Sequence, residues 1–401
     1  MQASWRIGSI FGIPLFIDYS WFFILALITL ANALDFSTVL GPVLGGGAGL
    51  LMALLLFASV LLHELGHSLV ARKQGIQVNS ITLFLFGGIA SIEQESKTPG
   101  EAFQVAIAGP AVSFVLWSLF YLVAHTLPVT GIVQVMTLNL AKINLILALF
   151  NLIPGLPLDG GQVVKAAVWK ATGNRFQGVR WAAKFGLVLG WGAIALGMAI
   201  IAFNDQWFNG FWIGLLGWFG IRNATSYERM STLQETLLQI IAADAMQQEF
   251  RVVDANMTLR QFADGYILEA SHFPVYFAAS EGRYRGLVSV DDLHFIERSR
   301  WETETLQSIV HPLTEIATVE EKTPIAEVIN FMEAKQLNRI TVLSPAGAVA
   351  GVIDRGDIVR AVAAKLNLAI SDADIKRVKA EASYPASLQL NAIAKAATLQ
   401  D

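Results

Sequence analysis

The distribution of apolar residues divides the chain into two parts that predict different kinds of structure. In residues 1–225, apolar residues form long runs with few interruptions, and this region contains only 19 of the 60 charged residues. Residues 226–401 contain the other 41, spread among short apolar segments. Long uncharged runs predict membrane-spanning helices, whereas the charged part predicts a soluble domain. The expected fold class is a polytopic α-helical membrane protein joined to a soluble α+β module.

Six runs in the first part are candidate membrane-spanning helices, of which the first and the last are short. Lysine and arginine are concentrated in the connections on one side and are absent from those on the other, roughly residues 35–47, 127–131 and 204–207. Because basic residues favour the cytoplasmic side, both chain ends and the soluble part are predicted to be cytoplasmic. The expected spans are Tyr19–Leu34, Ala48–Ala71, Ala102–Thr126, Ile132–Ile153, Ala182–Phe203 and Phe208–Asn223.

The stretch His63-Glu64-Leu65-Gly66-His67 stands at the end of the second run, which has no charged residue between positions 50 and 62. Two histidines four positions apart lie on one face of a helix, so both imidazoles can bind one zinc ion. Glu64 can then take a proton from a water molecule that the metal activates. The alternative is a pair of interfacial histidines without a metal. Ionisable groups are costly inside a membrane, which favours the functional interpretation.

A third metal ligand is indicated at the end of the fourth run, in the segment Asn151-Leu-Ile-Pro-Gly-Leu-Pro-Leu-Asp159-Gly-Gly. Its prolines and glycines break the helix at membrane depth, where irregular backbone is tolerated only if protein or a water-filled cavity covers it. A catalytic zinc commonly takes three protein ligands. Asp159 is therefore either the third ligand or the cap of a helix that begins near Gln162. Asn151 either donates to a substrate carbonyl or satisfies a carbonyl of the broken helix.

These motifs together resemble the site-2 protease family of intramembrane metalloproteases. The resemblance covers residues 1–225 and rests on the stretch from His63 to His67, the run from Asn151 to Gly160, and Gly87-Gly88-Ile-Ala90. Two positions depart from the family pattern. Ser113 stands where relatives often have asparagine, and Asp18 lies in a region where they often have histidine.

The resemblance implies a specific site and a specific architecture. One zinc ion would be bound by His63, His67 and Asp159, and Glu64 would be the catalytic acid and base. The core would have six spans with its active site near the cytoplasmic face.

Residues 78–93 directly follow the motif helix, and their β-branched and aromatic content predicts a short β-hairpin. One strand, near Gly87–Ala90, is expected to pair with an unwound substrate, a role that the family resemblance supports. The alternative is a packed re-entrant β-hairpin that makes no substrate contact.

The second part is expected to comprise a helical linker at 226–243, two similar units at 244–303 and 304–366, and an alanine-rich tail at 367–401. Each unit has the order helix, strand, strand, helix, and the first of these helices is expected near Thr258–Ala270. The tail either docks on the two units or is loosely ordered.

The two units resemble a tandem pair of cystathionine-β-synthase (CBS) domains, which implies an adenine nucleotide, ATP or AMP, in the cleft between them. The family pattern is Gly-x-x-Ser/Thr-x-x-Asp, in which the aspartate holds ribose hydroxyls. Ser289 and Asp292 match it in the first unit. Asp357 matches in the second, but Asp354 replaces the hydroxyl residue and would repel phosphate. The alternative is a structural module through which two copies form a homodimer.

Composition narrows the remaining possibilities. A net charge of −4 gives no basis for nucleic-acid binding, and the absence of cysteine excludes disulfides and thiolate metal sites. No cleavable signal peptide is apparent, which fits a multi-pass protein of the inner (plasma) membrane. The leading hypothesis is an intramembrane zinc endopeptidase that cuts transmembrane protein substrates within the lipid bilayer and is regulated by its CBS module. The alternative is a CBS-gated transporter or channel, although the sequence has no recurring pair of short broken helices.

Overall fold

The structure, a computed structural model, describes residues 4–128, 130–204, 206–267, 275–385 and 388–398. Within these ranges the chain forms two compact units, an N-terminal unit up to residue 231 and a C-terminal unit from residue 232 onwards.

The N-terminal unit consists of long helices and four short strands. In chain order these are β1 (Ser4–Ile10), β2 (Ile13–Asp18), α1 (Tyr19–Leu40), α2 (Pro42–Lys73), β3 (Val78–Phe84), β4 (Gly87–Ile92), α3 (Pro99–Thr126), α4 (Gly131–Asn151), α5 (Asp159–Thr172), α6 (Arg175–Asn204) and α7 (Trp207–Gln239). The last two turns of α7 belong to the C-terminal unit.

Among the described residues, five helices are long and apolar enough to cross a membrane, namely α1, α2, α3, α4 and α6. The sixth predicted span, Phe208–Asn223, forms the first half of α7 and is not one of the five. Polar residues such as Asn209 and Arg222 lower the mean hydropathy of that segment. The six-span topology therefore stays a prediction.

Helices α1 and α2 are longer than the sequence pattern predicts, because the loop expected between them is almost entirely helical. Only Gly41, with a φ of 78°, separates the two helices. A Cβ at Gly45 would lie 2.6 Å from the Cα of Ser37, and one at Gly49 would lie 2.6 Å from the backbone nitrogen of Ala33. Glycine therefore allows the two backbones to touch, and this packing offsets its low helix propensity.

The four strands of the N-terminal unit form one sheet in the order β1-β2-β3-β4. Strands β3 and β4 are antiparallel, so the hairpin predicted over 78–93 is present. The sequence pattern does not predict β1 and β2. The inward residues Ile13 and Leu15 of β2 pack with Leu65 of α2 and Ile81 of β3, which fixes the sheet against the motif helix. In the described part of the chain, β4 is an edge strand with one side of its backbone unpaired.

The C-terminal unit is an α+β structure with two small sheets. Its elements are α8 (Ala242–Ala245), β5 (Arg251–Asp254), α9 (Leu259–Phe262), β6 (Tyr276–Ser280), β7 (Arg283–Val288), β8 (Val310–Pro312), β9 (Thr318–Glu320), α10 (Ile325–Ala334), β10 (Arg339–Leu343), β11 (Val349–Asp354), α11 (Arg355–Lys365), α12 (Asp372–Glu381) and α13 (Leu390–Thr398). Short 3-10 helices cover Val290–Phe295, Arg298–Arg300 and Leu306–Ile309.

The two sheets repeat one arrangement, in which a central strand has a parallel neighbour on one side and an antiparallel neighbour on the other. In the first sheet β6 lies between β5 and β7, and in the second β10 lies between β9 and β11. Strand β8 joins the first sheet beside β7, although its residues lie in the range predicted for the second unit. The helix expected near Thr258–Ala270 begins as α9 and continues as a π-helical turn, Ala263–Ile267; residues 268–270 lie outside the described residues.

The C-terminal tail docks on this unit, which is one of the two alternatives that the sequence left open. Leu390 and Ile393 of α13 are buried in the same apolar core as Ile329 of α10. The side-chain amide of Asn330 donates a hydrogen bond to the Thr398 hydroxyl at 2.7 Å. Burial of this amphipathic face explains why an alanine-rich segment is ordered.

Candidate metal centre

Helix α2 carries both histidines of the motif on its inner face. Their Nε2 atoms lie 3.3 Å apart, and the two residues are only 3% and 7% exposed. This follows from the spacing of four, which brings side chains one helical turn apart onto the same side. His63 and His67 therefore present two nitrogen atoms to one point, as the sequence predicts.

The carboxylate of Asp159 completes this group. Its Oδ2 atom lies 3.0 Å from His63 Nε2 and 3.2 Å from His67 Nε2. Asp159 is the first residue of α5, and the break between α4 and α5 brings it back beside α2. The N-cap position of α5 is occupied by Leu158, so Asp159 is not the cap of this helix.

The other nitrogen of each imidazole is held by α3. His67 Nδ1 donates to the carbonyl oxygen of Val105 at 2.7 Å, so its Nε2 presents a lone pair to the centre. His63 Nδ1 is hydrogen-bonded to the Ser113 hydroxyl at 2.9 Å. Outer contacts of this kind fix the ring orientation of metal-binding histidines. The sequence drew attention to Ser113 only as a departure from the family pattern and did not indicate this contact.

Gly109 of α3 faces the same point and leaves it open. A Cβ at this position would lie 2.2 Å from His67 Nε2 and 2.6 Å from His63 Nε2. Any side chain here would therefore fill the space between the imidazoles. The role of Gly109 could not be found from the sequence, because a glycine inside an apolar helix is more often a packing residue.

The three side chains fit a divalent zinc ion. When two ligand atoms bind one tetrahedral zinc ion, each at about 2.0 Å from the metal, they lie roughly 3.3 Å from each other. The three separations among the two Nε2 atoms and Oδ2 are 3.0, 3.2 and 3.3 Å. Two nitrogen donors and one carboxylate are also a ligand set that zinc uses in catalytic sites.

Glu64 lies beside this group and is covered by β4. A Cβ at Gly88 would lie 2.5 Å from Glu64 Cγ, so only glycine lets the strand approach this closely. The backbone N–H of Ala90 faces the Glu64 carboxylate. The edge strand therefore packs directly on the side chain of Glu64.

Asn151 is the last residue of α4 and is half-buried. In the described part of the chain its side chain makes no hydrogen bond to protein and no contact with the three clustered side chains. The structure thus places Asn151 at the start of the break that leads to Asp159, with no hydrogen bond between the two side chains.

Asp18 caps α1 and is not part of the centre. Its carboxylate accepts hydrogen bonds from the hydroxyl and the backbone N–H of Ser20, which hold the pKa of Asp18 below its ordinary value.

Two of the three residues expected to bind nucleotide lie together at the end of β7. Ser289 directly follows that strand, and its carbonyl oxygen accepts a hydrogen bond from the Asp292 backbone N–H. The Asp292 carboxylate lies 2.6 Å from His311 Nε2 at the surface. Ser289 and Asp292 are partly exposed.

The third, Asp357, is 2% exposed and is already held within the unit. Its Oδ1 atom lies 2.9 Å from Nζ of Lys379, which is also 3.0 Å from Asp354 Oδ2. Lys379 belongs to α12 of the tail. Burial alone lowers the pKa of this lysine, but its hydrogen bonds to the two aspartates outweigh burial and raise it. A cavity of about 240 Å³ adjoins this cluster, lined by Glu249, Asn338, Arg339, Asp354 and Lys379.

Family models and relatives agree with this geometry. The model of peptidase family M50 matches residues 51–140 and 127–193, and the CBS domain model matches residues 307–364. The protein sll0528 of Synechocystis sp., named as a zinc metalloprotease, is 41% identical over 90% of this chain and 96% of its own length. Rip3 of Mycobacterium tuberculosis, named in the same way, is 33% identical over 90% of this chain and 93% of its own.

A solved site-2 protease from Methanocaldococcus jannaschii is also similar, with 27% identity over 57% of this chain and 96% of that one and a TM-score of 0.43. The two long relatives each match 90% of the chain, and the residues matched by the peptidase family M50 model include His63, His67 and Asp159. The chain therefore belongs to peptidase family M50, the site-2 protease family of zinc metalloproteases, and carries a CBS domain in its C-terminal unit.

Proposed function

We propose that this protein is an intramembrane zinc endopeptidase that hydrolyses peptide bonds in or near the transmembrane helices of membrane-anchored substrates. The observation that carries the proposal is the convergence of Asp159 of α5 with His63 and His67 of α2, a helix that also carries Glu64 and is apolar enough to cross a membrane. A CBS-gated transporter or channel is not favoured, because the long relatives are named as proteases.

His63, His67 and Asp159 would hold one zinc ion. When bound, zinc polarises a carbonyl oxygen and lowers the pKa of water from that of the bulk liquid to about 7. The hydrogen bonds that the imidazoles make with the Val105 carbonyl oxygen and the Ser113 hydroxyl hold both rings in the orientation that this requires.

Glu64 acts as general base and then as general acid. Its carboxylate orients the attacking water and accepts one proton while the water oxygen bonds to the scissile carbonyl carbon. As the carbon–nitrogen bond breaks, Glu64 gives that proton to the leaving amine, so the hydrolysis is balanced. The close approach of β4 shields Glu64 on one side and leaves it oriented toward the centre.

Asn151 is proposed to donate a hydrogen bond from its side-chain amide to the substrate carbonyl, where negative charge develops. Support comes from its position at the helix break and from the free hydrogen-bonding capacity of its amide in the described structure. The alternative role, satisfying a carbonyl of the broken helix, has no such hydrogen bond among the described residues to support it.

Strand β4 is proposed to bind the substrate as an added strand. A peptide bond inside a helix is shielded by its own hydrogen bonds, so the substrate must become extended before attack. As the sheet edge that touches Glu64, β4 can supply backbone hydrogen bonds to an extended segment next to the centre. Ile89 is 56% exposed on this strand.

The membrane placement follows the charge distribution. We place the protein in the inner (plasma) membrane with both termini and the C-terminal unit in the cytoplasm, because basic residues are concentrated on that side. The first half of α7 is the proposed sixth span, and the β3–β4 hairpin re-enters the membrane beside α2.

The C-terminal unit is proposed to regulate cleavage by binding ATP or AMP, with Ser289 and Asp292 contributing at the first sheet. At the second sheet, a nucleotide would have to displace Lys379 before its ribose could bind Asp357. The tail would thus compete with the nucleotide. Pairing of this unit with that of a second copy would give a homodimer.

Cleavage of a defined membrane substrate tests the main proposal. The probe is a single-span fusion protein whose apolar segment carries a helix-breaking Asn-Pro pair. Purified wild-type protein and Glu64→Gln are compared for cleavage and for zinc content. We expect one zinc per chain in both and cleavage only by the wild type. Equal cleavage by both would contradict the role of Glu64 and with it the proposed mechanism.

The strand-addition step is tested at Ile89, since a Cβ at Gly88 would displace Glu64 and confuse the result. Ile89→Pro restricts the edge strand, whereas Ile89→Ala removes only the exposed side chain. We expect a loss of cleavage with proline and near-normal cleavage with alanine. Unchanged cleavage by a folded Ile89→Pro variant would remove β4 as the substrate-binding strand.

A further inference from the structure

A loop at residues 93–98 leads from β4 to α3 and makes a side-chain contact with α5, the helix that carries Asp159. Glu95 lies in this loop, and its Oε1 atom is 2.7 Å from Nζ of Lys165. Lys165 is on α5, six residues after Asp159, and is only 6% exposed. The ion pair therefore joins the exit of the edge strand to α5.

The same loop is tied to the helix that carries the two histidines. The Ser96 hydroxyl donates to the side-chain oxygen of Gln74 at 3.1 Å, and Gln74 is the C-cap of α2. The Gln74 amide in turn donates to the Glu101 carbonyl oxygen at 3.0 Å. One short loop thus links β4, the end of α2 and α5.

The charges at this junction are strongly held. Partial desolvation raises the pKa of Glu95, whose side chain is 42% exposed, but the charge and hydrogen bond of Lys165, with the charge of Arg175, hold that pKa below its ordinary value. Lys165 is buried, and among the described residues Glu95 is the carboxylate within ion-pair distance of its ammonium group. A buried ammonium needs such a partner, so the geometry of the pair is well defined.

We infer that Glu95 and Lys165 are positioning residues that fix β4 relative to Asp159 and thereby align a substrate strand with the metal centre. The inference rests on the proposed function. Neither residue touches the three clustered side chains, so the pair acts through β4 and α5. A displacement of about 1 Å in the alignment of reacting groups can cost on the order of a hundredfold in rate.

Neutral variants of similar shape test this inference. Glu95→Gln, Lys165→Met and the double variant are compared with Glu93→Gln, a control in the same loop. We expect each single variant to lower kcat on the Asn-Pro fusion substrate about tenfold while KM stays within about twofold, because binding persists and alignment is lost. Zinc content should not change. The double variant should lose no more than the worse single variant, since the residues act as a unit.

A distance measurement provides a readout that is independent of activity. The chain has no cysteine, so spin labels can be attached at Ile89→Cys on β4 and Ala167→Cys on α5. The distribution of distances between them should be narrow with the pair intact and broad in Glu95→Gln. In Glu95→Gln the ammonium group of Lys165 is left without its partner, whereas the double variant has no such charge. The double variant therefore replaces the single variant in this measurement if the single variant fails to fold.

Unchanged kcat in folded variants, or an unchanged distance distribution, would overturn the inference. A fall in zinc content that matches the fall in activity would also overturn it, because the pair would then support the metal centre and not the strand. If the wild type failed to cleave the probe at all, the proposed function would fail, while the spin-label distances would still report on the ion pair.

Discussion

Two aspartates, the partly buried Asp159 of the N-terminal unit and the buried Asp357 of the C-terminal unit, differ in the groups that face them. In the N-terminal unit, Asp159 faces two imidazoles, and within the described ranges no lysine or arginine lies within ion-pair distance of it. In the C-terminal unit, Asp357 is held by the ammonium group of Lys379 and shares it with Asp354. The first cluster lacks a permanent cation, whereas the second contains one.

This difference has a physical consequence. A carboxylate that is buried without a fixed positive charge is costly, so the cluster around Asp159 favours an external cation with nitrogen and oxygen ligands. The cluster around Asp357 is satisfied by the chain itself and has no need of a ligand. Aspartate thus indicates a candidate metal site in one unit and an internal ion-pair cluster in the other.

The largest expected effect comes from filling the space between the imidazoles. Gly109→Ala would place a methyl group 2.2 Å from His67 Nε2. We therefore expect less than about 0.1 zinc ion per chain and a cleavage rate that is at least about a hundredfold lower. Replacing glycine by alanine at an ordinary helix position stabilises the helix by about 1 kcal/mol. Helix propensity therefore cannot cause a loss of zinc or activity in Gly109→Ala. Metal analysis and cleavage of the fusion substrate measure it.

Gly100→Ala in the first turn of the same helix is the matched control, because a Cβ there meets no atom within 4 Å. It should retain zinc and activity. Full zinc occupancy in Gly109→Ala would mean that the imidazoles do not face a common ion.

A smaller effect is expected from the outer contact of His63. Ser113→Ala removes the hydrogen bond to Nδ1, and losses of such contacts typically lower metal affinity by about 10- to 100-fold. Competition with a zinc chelator measures the affinity. Ser118→Ala, one turn further along α3, should have no effect because its hydroxyl bonds only to the local carbonyl of Phe114. Equal affinities in the two variants would show that Ser113 does not support the centre.

The smallest effect is expected in the C-terminal unit. Lys379→Met frees Asp357 from its internal partner, so the affinity for ATP or AMP should rise by about 1.5- to 5-fold, which corresponds to about 0.2 to 1 kcal/mol for a partly exposed ion pair. Calorimetry on the full chain measures it, with the exposed Lys376→Met as control. Weaker nucleotide binding in Lys379→Met would indicate that the lysine holds the phosphates and is not a competitor.

The clustering of His63, His67 and Asp159 could be predicted largely from the sequence because its signals are local. The spacing of the two histidines specifies one helix face, and the two prolines and the glycine between Asn151 and Asp159 mark the break that returns this carboxylate to α2. The β3–β4 hairpin was also predicted, within residues 78–93, since this segment is rich in β-branched and aromatic residues.

The remaining features depend on contacts between residues far apart in the chain. Strand β2 pairs with β3 across more than sixty positions, and neither strand pattern indicates that pairing. Gly109 and Ser113 gain their roles only when α3 packs on α2. The loop expected between α1 and α2 is helical because Gly45 and Gly49 allow close helix packing, which a propensity scale does not include.

X-ray absorption at the zinc edge tests most directly whether the two imidazoles and the Asp159 carboxylate bind one ion. The measurement uses purified full-length wild type and Asp159→Ala. We predict one zinc per chain in the wild type, with two imidazole nitrogens and carboxylate oxygen at about 2.0 to 2.2 Å, and loss of most of the zinc in the variant. Zinc bound without imidazole scattering, or full occupancy with an unchanged spectrum in Asp159→Ala, would contradict the account.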